Sequence, residues 1–62
     1  MRLGELVSTP YGKGRIEGAQ ADETIIVRLP VTELIDPERC ITQGEDTGLF
    51  WVYREEITEV KR

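Results

Sequence analysis

Along this chain the apolar residues come in short bursts that alternate with polar ones, separated by glycine, proline and acidic turns. Alternation of this kind is the signature of half-buried strands rather than of helices. Residues 24–29, Thr-Ile-Ile-Val-Arg-Leu, form the strongest strand signal and are rich in β-branched side chains. Arg28 sets its phase: Ile25, Val27 and Leu29 are expected to face inward, Ile26 and Arg28 outward. Residues 49–53, Leu-Phe-Trp-Val-Tyr, form the second strong strand and are apolar on both faces. Such a strand is either buried on both sides or covered on one side by a partner. Weaker strands are expected at 5–9, where Leu6 and Val7 compete for the core, at 14–19, and at 57–60, where Ile57 and Val60 would be buried. Leu3 is expected to pack under the first of them. Gly18, inside the second, suggests a bulge or sharp bend. Residues 19–23 read as a hairpin connection.

The chain is organised around Thr9-Pro10-Tyr11-Gly12-Lys13-Gly14-Arg15-Ile16, a turn with a strand on each side. Pro10 has a fixed φ and no N–H, which suits a strand exit. Gly12 and Gly14 permit a positive φ or a close backbone approach. Tyr11 and Lys13 project from this loop either as a binding surface or as a ring lidding the fold beside a solvated lysine.

Residues 31–48 are the least patterned part. Asp36-Pro37-Glu38-Arg39 has the form of one helical turn, with Asp36 as cap and Pro37 first. Residues 39–42 could make a short strand, and Gly44-Glu45-Asp46-Thr47-Gly48 reads as a turn-rich loop. Arg54-Glu55-Glu56 reads as a short turn, possible as 3₁₀, with both glutamates solvated. Lys61 and Arg62 read as a solvated tail. Five short strands without a convincing helix give an all-β domain spanning residues 1–62. The economical way for so short a chain to bury a core is a closed or half-closed small barrel of the SH3 type.

Composition narrows the chemistry. The 62 residues allow one small domain; a single cysteine and no histidine argue against an internal disulfide and a structural zinc site, and Asp22, Asp36 and Asp46 do not form a calcium loop, so no metal is expected. Cys40 reads as a small, partly buried side chain, since no histidine is present to activate it. No nucleophile has a partner base, and Gly12-Lys13-Gly14 lies in a hairpin rather than before a helix, so neither catalysis nor a phosphate loop is expected, and no cofactor. No apolar run approaches a membrane span, and the N-terminus lacks the apolar core of a signal peptide, so a cytoplasmic location is expected and no membrane partner. The net charge of −4 disfavours phosphate-backbone binding and suits a basic protein partner. A local basic patch of Lys13, Arg15 and Arg28 remains open if their strands are neighbours.

The order Gly4-Glu5-Leu6-Val7 followed by Tyr11-Gly12-Lys13-Gly14-Arg15-Ile16 resembles the first hairpin of Tudor-like, SH3-type barrels. These occur in the CarD family of transcription regulators, in the RNA-polymerase-interacting domain of transcription–repair coupling factor, and at the C-terminus of UvrD-type helicases. Residues 49–57 are similar to the strand, turn and strand that close the polymerase-interacting domains. Two features depart from that pattern: the intervening segment 31–48, and Arg54 where those domains often carry proline. The resemblance implies a Tudor-like barrel in a transcription or DNA-repair assembly, with RNA polymerase among the candidate partners.

The first functional expectation is therefore a non-catalytic module that binds a protein through aromatic residues or an exposed strand edge. The candidate surface is Tyr11, Trp51 and Tyr53, with Phe50 or Val52 opposite and Lys13, Arg15 and Arg28 as polar rim. The alternative for these aromatics is core filling. A nucleic-acid-binding barrel using Tyr11, Lys13, Arg15 and Arg28 is a second expectation. A homo-oligomer joined through the two-sided strand at 49–53 is a third.

Overall fold

The computed structural model describes residues 2–31 and 35–60. The expected tail at Lys61 and Arg62, Met1, and the centre of the 31–48 segment, at 32–34, lie outside the described residues. Among the described residues six strands form: β1 (Leu6–Thr9), β2 (Gly12–Ala21), β3 (Thr24–Pro30), β4 (Cys40–Gln43), β5 (Thr47–Tyr53) and β6 (Thr58–Glu59). Two 3₁₀ turns, Pro37–Arg39 and Arg54–Glu56, stand before β4 and after β5. All pairings are antiparallel, in one sheet of order β4-β5-β3-β2-β1-β6. The sheet is not closed: β4 and β6 are its two edges. Among the described residues there is no α-helix, and no helix is long and apolar enough to cross a membrane.

The core follows from the phase of β3. Ile25, Val27 and Leu29 point inward between β2 and β5, and join Val7, Ile16, Phe50 and Val52. Val7, Val27, Leu29 and Val52 are fully buried. Of the adjacent pair in β1, Val7 takes the core and Leu6 stays 37% exposed. Ile35 also joins the core, which anchors the start of the segment leading to β4.

Leu3 does not pack under β1; it is 74% exposed, because Gly4 at φ 81° turns the chain away before the strand begins. The expected connection at 19–23 shrinks to Asp22 and Glu23, since β2 runs on to Ala21. Its two register shifts, between Ile16 and Gly18 and between Ala19 and Ala21, let that long strand bend.

The two glycines of the first hairpin serve different needs. Gly12 has φ 130°, which an L side chain rarely adopts. Gly14 lies beneath β3: a Cβ there would collide with the Arg28 carbonyl and stand 2.8 Å from Leu29 Cδ2 and 2.9 Å from Val27 Cγ1. Thr9 closes the turn, with its hydroxyl donating to the Gly12 carbonyl at 2.8 Å and accepting from the Tyr11 N–H at 3.2 Å. The hairpin is thereby fixed, and Tyr11 is aimed from its tip.

Candidate functional site

The Asp36-Pro37 start shapes the segment before β4. Asp36 Oδ1 accepts the Glu38 N–H at 3.0 Å, and the Arg39 N–H reaches the Asp36 carbonyl at 2.9 Å, closing a single 3₁₀ turn. The next residue, Cys40, lies opposite Phe50 in the β4–β5 ladder and packs against the core. Arg39, the last residue of that turn, reaches the other face of β5, which presents Trp51 and Tyr53.

There the Arg39 guanidinium sits among three rings. Its Cζ is 5.1 Å from the centre of Tyr11, 4.9 Å from Trp51 and 5.2 Å from Tyr53, all within cation–π range. Trp51 and Tyr53, two residues apart on β5, meet edge to face at 5.3 Å and 82°. Trp51 Nε1 donates to the Glu38 carbonyl at 3.1 Å, which ties the 3₁₀ turn to the strand.

Glu56 supplies the counter-charge. Arg39 Nη1 donates to Glu56 Oε1 at 2.6 Å, and their side chains are only 14% and 20% exposed. The same oxygen accepts the Tyr53 N–H at 2.9 Å. Burial pushes the Glu56 carboxyl up, but the hydrogen bonds from Arg39 and from the Tyr53 N–H, the Arg39 charge and the Tyr11 hydroxyl outweigh it. The carboxyl ends below its ordinary value. Arg39 is raised, first by its bond to Glu56, against burial, and then by the Glu56 charge and the two tyrosines.

The expected solvation of Glu56 is thus corrected. The turn after β5 points Glu56 back to the Tyr53 N–H as a capping residue, and that bond places its carboxylate beneath the rings. Glu55 is exposed, as expected.

The structure brings together Tyr11, Trp51 and Tyr53 of the candidate surface. Trp51 is half-buried and Tyr53 is 39% exposed. Phe50 and Val52 are separated from them: both point into the core and are buried, which removes them from any surface. One face of β5 packs on the core, and the other is covered in part by the chain's own Arg39 and the 3₁₀ turn before it, leaving Tyr53 exposed. Beside Tyr53 lies a shallow depression lined with Glu23, Arg54 and Glu55.

The basic residues form a second group. Arg15 and Arg28 are directly opposite in the β2–β3 ladder, and Lys13 precedes Arg15 by two positions on the same exposed side. Arg15 Nη1 donates to the Gly4 carbonyl at 3.0 Å; Arg28 meets Glu17 Oε2 at 3.4 Å and Thr47 Oγ1 at 3.3 Å. Arg28 and Glu17 are 48% and 39% exposed, so their pairing adds little stability, but it places an acid within the patch. Among the described residues no group of three or more His, Cys, Asp or Glu side chains is placed to hold a metal ion.

Sequence reasoning missed Arg39 and Glu56. Glu56 had a legible signal, because it stands three positions after the strand-ending Tyr53, the spacing of a capping glutamate. Arg39 had none, since its neighbours come from segments more than ten residues away along the chain. A scan against protein-family models, a search of curated proteins and a search of solved structures found no match to this chain.

Proposed function

We propose that this chain is a non-catalytic binding module that engages a basic segment of a protein partner through the face formed by Tyr11, Trp51 and Tyr53. The observation that carries this reading is the enclosure of a cation by three ring faces above the Glu56 carboxylate. Tyr53 leads outward from it into a depression whose rim carries Glu23 and Glu55 beside Arg54, an excess of one negative charge. A chain of net charge −4 attracts a basic partner over distance, and the rings give it a place to stack. On this reading Lys13, Arg15 and Arg28 make rim contacts; Arg28 stands opposite Leu49, two positions before Trp51 on β5.

We read the bent six-stranded sheet as an SH3-like, Tudor-like small barrel. The support is the first hairpin, in which Gly12 and Gly14 each meet a specific backbone need, together with the resemblance of that hairpin to the CarD and transcription–repair coupling factor domains. The same resemblance is the support for a transcription or DNA-repair assembly, with RNA polymerase as a candidate partner.

The test is a titration of two labelled peptides of equal length, one rich in lysine and arginine and one rich in aspartate and glutamate, followed by fluorescence anisotropy. The basic peptide is expected to bind, to weaken as salt rises, and to lose at least tenfold in affinity with Tyr53→Ala. Equal binding of both peptides, or a basic peptide indifferent to Tyr53→Ala, contradicts the reading. A second reading rests on the facing Arg15 and Arg28: single-stranded nucleic acid on that patch. It requires an oligonucleotide to bind with a salt dependence that Arg28→Ala reduces.

A further inference from the structure

We propose that the three-ring site is a guanidinium site which the chain fills with its own Arg39, and that an arginine of the partner binds by replacing it. This rests on the reading of that face as the one a partner engages; it adds the chemical class recognised and the competition that controls it.

The walls of the site are held without Arg39. The Glu56 carboxylate is fixed by the Tyr53 N–H at 2.9 Å. Trp51 and Tyr53 brace one another edge to face, and Tyr11 packs against the core. With the guanidinium withdrawn, the site would present a carboxyl group held by the Tyr53 N–H at the base of a ring-lined recess. The arginine, by contrast, comes from a three-residue 3₁₀ turn beside an edge strand, and Asp36, Pro37 and Glu38 of that turn are exposed. Withdrawing its guanidinium takes nothing from the core, and the turn keeps its ties through Ile35 and through the Trp51–Glu38 hydrogen bond.

Weaker hydration favours a guanidinium over an ammonium here. Three rings centre 4.9 to 5.2 Å from a group that makes a single short bond to a carboxylate, and because Trp51 and Tyr53 stand at 82° a planar cation lies flat on only one of those two. A guanidinium stacks on ring faces and sheds water readily, whereas an ammonium is compact and strongly hydrated. Tethering gives Arg39 a high effective concentration at the site, on the order of millimolar or above. An arginine arriving from outside must compete with that, so the wild-type chain binds weakly until Arg39 leaves.

The experiment compares the full wild-type chain with Arg39→Ala, using N-ethylguanidinium and ethylammonium at matched ionic strength as probes. Trp51 fluorescence and the thermal midpoint are the readouts. Arg39→Ala is expected to take up N-ethylguanidinium, with a shift in Trp51 emission. Its midpoint is expected to rise by about 6–11 °C at a tenfold excess over Kd. Ethylammonium is expected to bind at least tenfold more weakly, and the wild type to show neither change at the concentration that saturates Arg39→Ala. A folded Arg39→Ala that ignores N-ethylguanidinium, or takes ethylammonium equally well, overturns the inference. The basic-peptide titration tests the face as a whole, independently of this comparison. Should Arg39→Ala fail to fold, N-acetylarginine amide is titrated into wild-type protein and the Arg39 Nε–H resonance followed. A saturable shift supports replacement; an unmoved resonance up to about 100 mM, far above the effective concentration of a flexible tether, overturns it.

Discussion

Replacing Glu56 with glutamine keeps the shape of the side chain and its acceptor for the Tyr53 N–H, and removes only the charge. The Arg39–Glu56 bond is 2.6 Å long and its two side chains are 14% and 20% exposed. It therefore lies between a surface pair, at about 0–1 kcal/mol, and a fully buried one, at about 3–5 kcal/mol when broken. A loss of about 2 kcal/mol is expected, as for a hydrogen bond to a charged group. For a chain of this size that is about 8–16 °C in thermal midpoint. The Glu56 carboxyl titrates below its ordinary value of 4.5, so the unfolded chain binds the proton more readily than the folded one. Its contribution is present above that ordinary value and is lost as pH falls through the lower, folded one. The difference between wild type and Glu56→Gln should thus be constant from pH 8 to about 6 and shrink in acid below the ordinary carboxylate range. Thermal unfolding by circular dichroism across that range measures it. A difference below about 3 °C at pH 7, corresponding to a surface pair, would refute the reasoning, as would a full difference persisting at about pH 2.

Other consequences follow from the backbone and core. Gly14→Ala is expected to cost more than about 2 kcal/mol, because its Cβ meets backbone and two core side chains, whereas Gly18→Ala, with nothing within 4 Å, should be close to neutral; urea unfolding of the pair separates them. Leu29→Ala should lose about 2–5 kcal/mol, since Leu29 is fully buried, and leave little of the stability a chain this small can have; its denaturation midpoint reports this. Asp36→Ala should remove about 1 kcal/mol with the cap on the 3₁₀ turn. Faster amide exchange at Glu38 and Arg39 would show it, and unchanged exchange would mean the cap does not hold the turn.

How far the chain could be read from its residues varied with where the determinants lay. In β3 a single charged residue, Arg28, reveals the phase, and Ile25, Val27 and Leu29 are buried as the alternation required. In the first hairpin the spacing of Thr9, Gly12 and Gly14 carries its own backbone chemistry. The Asp36-Pro37 turn was equally local and equally legible. In β5 periodicity failed, because both faces are apolar and the cover for one of them arrives from the turn before β4. Ile35 joined the core from a stretch without alternation. Phe50 and Val52 were placed with the surface aromatics for the same reason: nothing in Leu-Phe-Trp-Val-Tyr itself distinguishes the side that meets β3's core residues from the side that meets Arg39.

The most direct measurement is the proton spectrum of the Arg39 side chain. Ring faces on three sides should move its δ protons well upfield of an ordinary arginine, with cross-relaxation to Tyr11, Trp51 and Tyr53 and a slowly exchanging Nε–H. Arg39 resonances at ordinary solvent-exposed positions, without contacts to those rings, would contradict the enclosed cation on which both the proposed binding face and its self-occupancy depend.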